Sequence, residues 1–144
     1  MEVRAPRADE LEAVARLWWE SFQSTGLAEP YDDDAVTLRA RVDHELATGW
    51  RLFVAVVDGS VAGMLALRPG VLDQLFVAPE RQGEGVGTQL FAYACAELPG
   101  GFSLRTQAEN HPARRFYEAR GMHLERIGPH PGGLPRHCAW YRWS

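Results

Sequence analysis

Lysine is absent from this chain, and all 15 basic residues are arginine. That absence excludes a lysine Schiff base or a lysine nucleophile. It is better explained by codon bias in a GC-rich genome than by heat adaptation, which tends to raise lysine. Cysteine is scarce. Cys95 falls in an apolar helical run and Cys138 stands beside His137, and neither has metal-ligand spacing. Neither has a base and an orienting group beside it, so no cysteine nucleophile is expected. Both read as reduced packing residues of a cytoplasmic protein. No His/Glu cluster has metal spacing, so no metal is expected. No apolar run has the length of a membrane span, and Glu2, Arg4, Arg7 and Asp9 break any signal-like start. A net charge of −4 argues against nucleic acid as the main partner.

What is present describes a globular chain. It is 46% hydrophobic and 24% charged over 144 residues, which suits one domain spanning 1–144. Such a domain buries roughly 70% of its unfolded surface and needs no covalent staple. Val3 and Ala5 suggest a first strand. Leu11, Val14, Ala15, Trp18 and Phe22 then repeat at helical spacing, predicting a helix over 8–22. The run Asp32, Asp33, Asp34 opens a second helix to about residue 47, with Gly49 beyond its end. Strand-like runs at 51–57 and 60–68 flank Asp58-Gly59, a strong hairpin signal. Further strands are predicted at 71–77, 102–106, 122–127 and 138–143, and helices at 86–98 and 111–120. The order β-α-α-β-β-β-α-β-α-β-β reads as an α/β (α+β) chain: a mixed sheet covered by helices.

Between the strand at 71–77 and the next helix lies Gln82, Gly83, Glu84, Gly85, Val86, Gly87 and Thr88. Glycines there let a backbone approach a ligand closely. The N–H groups of the following helix would then face an anion such as a pyrophosphate. A P-loop is excluded because it needs lysine. The dinucleotide pattern fails because position 88 is threonine.

With these residues the chain resembles the GNAT family of acetyl-coenzyme A-dependent N-acetyltransferases. Gln82, Gly85 and Gly87 match its Arg/Gln-x-x-Gly-x-Gly/Ala motif, and the lead-in Leu75 to Glu80 resembles Leu-x-Val-x-Pro-Glu. A second match lies in Asn110, Ala113, Phe116, Tyr117 and Gly121. The resemblance implies a mixed, mostly antiparallel sheet of six to seven strands flanked by about four helices. It implies acetyl-coenzyme A between the strands at 71–77 and 102–106, with its pyrophosphate on residues 82–88. Leu75, Phe76 and Val77 would pair with the pantetheine, and the Val77 N–H would polarise the acetyl carbonyl. Asn110 would contact the pantetheine arm and Phe116 would pack on it.

Acetyl transfer to an amine requires a neutral amine, a polarised carbonyl and a proton for the departing thiolate. Tyr117, a phenol protonated at neutral pH, suits the last role. Asp73 is the first choice of base, with Gln74 and Glu109 nearby. The acceptor is read as a primary amine of a small molecule or peptide, drawn by Asp32, Asp33 and Asp34 or walled by Trp19. Helix capping is the competing and preferred use of the three aspartates. Arg114 and Arg115 are candidates for a cofactor phosphate. Family members commonly dimerise through their last strands, so a homodimer is a further expectation. A non-catalytic acyl-coenzyme A or amine-sensing module on the same scaffold is the alternative reading.

Overall fold

Asp58 and Gly59 both have positive φ, 52° and 77°, which is the two-residue turn that matches the twist of a hairpin. That turn joins β2 (Arg51–Val57) to β3 (Ser60–Arg68). β4 (Val71–Val77) follows, and β1 (Glu2–Arg4) lies on the other side of β2. With β5 (Phe102–Gln107), β6 (His123–Pro129) and β7 (His137–Trp143), they form one sheet in the order β1-β2-β3-β4-β5-β7-β6. Every pairing is antiparallel except β4 with β5. The computed structural model describes all residues 1–144.

Two helices cover one face and two the other. α1 (Leu11–Ser24) buries Val14, Ala15, Leu17, Trp18 and Ser21, the stripe its spacing predicts. It packs with α2 (Ala35–Ala47) over Leu52, Val54, Met64 and Ala66. On the opposite face α3 (Val86–Glu97) and α4 (His111–Ala119) bury Leu90, Phe91, Ala94 and Tyr117 against Leu65, Leu67, Phe102 and Tyr141. A short 3₁₀ turn, Ala8–Glu10, precedes α1, where the periodicity predicts continuous helix from residue 8. Glu10 closes that turn by accepting from the Arg7 N–H at 2.8 Å and from the Arg4 guanidinium at 2.7 Å.

Two irregularities shape the site. β3 and β4 pair Ala66 with Gln74 but Leu67 with Leu72, so Asp73 is an unpaired bulge residue. β4 and β5 share a single paired position, Val71 with Ser103, and then diverge. The gap between them faces both helical layers.

Candidate active site

The main cavity, about 690 Å³, opens at this gap. Its floor is Leu75, Phe76 and Val77 of β4. Ala78 N–H donates to Ala62 O across β3 at 2.8 Å. Because N–H directions alternate along a strand, the Val77 N–H points the other way, into the gap that β5 leaves. The Val77 carbonyl accepts from Ser21 Oγ at 2.9 Å, which ties the end of β4 to α1.

One wall is the glycine-rich turn. Gln82, Gly83, Gly85, Val86, Gly87 and Thr88 all line the cavity. Gly83 and Gly85 have φ of 84° and 85°, and Gly85 is the cap residue just before α3. The unpaired N–H groups of the first α3 turn therefore rim the cavity with the positive end of the helix dipole. A Cβ on Gly87 would stand 3.2 Å from the Phe116 ring, tighter than an ordinary contact, so a bare backbone eases the close approach of α3 to α4. Arg81 and Arg120 add two cations to the wall, and Arg120 also lies 3.5 Å over the Phe116 ring and donates to Thr88 Oγ1. This combination of bare backbone, helix N-terminus and arginines suits a phosphate-bearing substrate.

The opposite wall is α4. The Asn110 Oδ1 caps it by accepting from Ala113 N–H at 3.2 Å. Asn110 also borders a second cavity of about 270 Å³ on the α1/α2 side of the sheet. The two cavities share Thr25, Phe76 and Asn110, so they meet through the gap between β4 and β5. Tyr117 is 7% exposed and lines the main cavity, and its hydroxyl has no hydrogen-bond partner in the chain. Burial pushes its pKa well above the ordinary phenol value, so the hydroxyl keeps its proton at neutral pH.

Residues 11–122 match the acetyltransferase (GNAT) family. The chain belongs to the GNAT family of acetyltransferases. Among its relatives is the peptidyl-lysine N-acetyltransferase YiaC of Escherichia coli, 30% identical over 85% of this chain and 83% of its own. A GNAT-family acetyltransferase from Desulfovibrio desulfuricans superposes with a TM-score of 0.78 at 25% identity, over 99% of this chain and 98% of that one. The PaiA N-acetyltransferase of Thermoplasma acidophilum, solved with coenzyme A, superposes with a TM-score of 0.75 at 17% identity, over 99% and 98% of the two chains.

As a GNAT member, the chain gathers most of the sequence-derived site residues round one cavity, and the departures have physical causes. Glu84 is exposed, faces Arg81 at 3.3 Å and does not line the cavity. Asp73 lies four residues before Val77, on the order of 13 Å away along the strand. Its carboxylate accepts from Trp50 Nε1 at 2.6 Å and faces Arg68 at 3.6 Å, and it lines neither cavity. Glu109 is the one carboxylate on the main cavity's wall. Asp32, Asp33 and Asp34 are occupied: by Arg136 at 2.7 Å, by Arg41 at 3.0 Å, and as the α2 cap on Thr37 N–H at 2.8 Å. Phe22, not Trp19, lines the second cavity. Arg114 turns to Tyr141 Oη and the Ala108 carbonyl instead of the main cavity. Arg115 is exposed and off the cavity wall.

Sequence reading missed Arg81, Arg120 and Ser21. A serine on the apolar stripe of α1 was the available signal for Ser21, whose hydroxyl has to find a partner when buried.

Proposed function

We propose that the chain moves an acetyl group from acetyl-coenzyme A directly to a primary amine of a small molecule or peptide. The reading rests on one observation. A buried, unpartnered phenol, Tyr117, shares a cavity with a glycine-built helix N-terminus and a strand N–H freed by diverging strands. The phosphates of the substrate would lie on the N–H groups at 83–88, with Arg81 and Arg120 beside them. The pantetheine would run along Leu75 to Val77 in place of the missing strand, between Asn110 and Phe116. The Val77 N–H would donate to the acetyl oxygen as negative charge develops there.

The acceptor would enter from the second cavity. Its nitrogen attacks the carbonyl carbon, a C–N bond forms and the C–S bond breaks. The departing thiolate takes the Tyr117 proton, and Glu109 takes the proton lost by the amine. Solvent restores both groups, and the products are an amide and free coenzyme A. A peptidyl-lysine acetyltransferase among the relatives supports an amine acceptor.

The test is amine-dependent release of free thiol from acetyl-coenzyme A, with lysine peptides and small amines as acceptors. Tyr117→Phe should lower kcat about 100-fold or more, the usual contribution of a positioned acid, and leave the KM for acetyl-coenzyme A little changed. An unchanged kcat would remove Tyr117 from the mechanism. Failure of every amine to stimulate release would favour a sensing module.

A further inference from the structure

The second cavity is lined by five charged side chains: Arg41, Arg105, Arg136, Asp32 and Asp33. Both aspartates are committed, Asp32 to Arg136 at 2.7 Å and Asp33 to Arg41 at 3.0 Å. Three cations against two anions leave one positive charge, and Arg105 is the arginine without a carboxylate partner. Arg136 keeps a further donor unused, since its Nε is buried without a partner. His130, on the same wall, has its pKa lowered by burial and then by the fields of Arg105 and Arg136.

The positive character continues out of the cavity. Register sets Arg105 opposite Trp140, and Trp140 opposite Arg126, so the three form a row across β5, β7 and β6 on one sheet face. Two strand spacings separate the outer pair, about 10 Å. Arg126 lies 3.6 Å over the Trp140 ring. Arg142, two residues along β7 from Trp140, shares that face. None of Arg105, Arg126 and Arg142 makes an ion pair, and all three are exposed. α1 packs on β3 and β4, and α2 packs on α1, away from this part of the face. Glu125 is the only acidic residue of β6, and it is the bulge residue there, outside the paired row. A chain of net charge −4 therefore carries an uncompensated basic strip leading into its acceptor cavity.

The geometry points to an acidic peptide segment as the acceptor: Arg105 holds a carboxylate next to the target amine, and Arg126 and Arg142 hold carboxylates farther along the chain. This rests on the acceptor reading of the second cavity. A peptide is favoured over a free amino acid because Arg126 stands about 10 Å from Arg105 across β7, farther than the two carboxylates of one free amino acid can span. The cavity suits one inserted side chain, with the remaining contacts made on the open strip. A second copy of this chain is disfavoured on this face, because two arginine rows would oppose each other.

Two lysine-centred peptides, one flanked by Glu and Asp and one by Gln and Asn, separate the outcomes. kcat/KM for the acidic peptide should exceed that for the neutral one by about tenfold at low salt, and the ratio should shrink as salt screens the strip. R105Q, and separately R126Q with R142Q, should bring the ratio toward one, with acetyl-coenzyme A titration reporting that each variant is folded. Equal use of both peptides by the unaltered protein, or an undiminished ratio in R105Q, overturns the proposal while leaving acetyl transfer intact. Fluorescence anisotropy of the labelled acidic peptide reads docking without turnover. Arginine-dependent binding with no acetylation would instead sink the transfer reading and keep the docking. Stronger turnover of free glutamate or aspartate than of the acidic peptide, or arginine-dependent binding of a single-stranded oligonucleotide tighter than that of the peptide, also overturns it.

Discussion

Tyr117 and Asp73 were both assigned to chemistry from the sequence, and the fold gives them different surroundings. The Tyr117 ring packs among Phe91, Phe116 and Tyr141, with centroids 5.3 to 6.4 Å away. That packing keeps water from the ring and raises the phenol pKa, so the acid form persists to higher pH. The kcat profile should show no alkaline fall-off below pH ~10, the ordinary phenol range. A descending limb near neutrality that persists when the acceptor amine is changed would contradict this. Asp73 faces Trp50 and Arg68 instead of the cavity. Trp50 is 5% exposed and its indole N–H depends on the Asp73 carboxylate. Asp73→Ala should cost about 1–3 kcal/mol in denaturant unfolding, the penalty of an orphaned buried donor, with kcat little altered. A collapse of kcat at unchanged stability would restore Asp73 as base. The cause of the sequence assignment is plain: regular period-two alternation puts 73, 75 and 77 on one face, and a bulge at 73 cannot be seen without the partner strand.

At the scale of elements, the glycine turn was legible because its constraints are local. Gly85 takes φ of 85° and Gly87 sits tight against Phe116, and both features are written as residue types. Gly85→Ala should destabilise the fold by about 1–2 kcal/mol through left-handed strain and weaken acetyl-coenzyme A binding, checked by thermal unfolding and by titration. Unchanged binding would mean that the turn does not hold the phosphates. The α2 start was also legible, as Asp34 accepts from Thr37 N–H. Removing that cap by Asp34→Ala should cost about 1 kcal/mol in unfolding. What the sequence hid were elements whose meaning depends on distant partners. Arg120 reaches the cavity because α4 is laid against α3, whereas Arg114, six residues earlier, faces Tyr141 on β7.

For the whole molecule, charge was read as one number and the fold distributes it. Residues 105, 126 and 142 are far apart in sequence and become one basic strip only through the register of β5, β7 and β6. Nearer the start of the chain the charge effect is local: Arg4 and the Arg7 N–H hold the Glu10 carboxyl down to a pKa of about 2. A depressed carboxyl pKa contributes stability that is present above its unfolded value, near 4.3, and lost as pH falls toward 2. Glu10→Gln should therefore flatten the stability change between pH ~4.5 and 2, measured by urea unfolding at each pH. Every role proposed for the site depends on acetyl-coenzyme A being the ligand of the cavity between β4 and β5. Calorimetric titration with acetyl-coenzyme A and, separately, with ATP tests it most directly. One acetyl-coenzyme A should bind per chain, and more weakly in Gly85→Ala. Binding of ATP with none of acetyl-coenzyme A would contradict it.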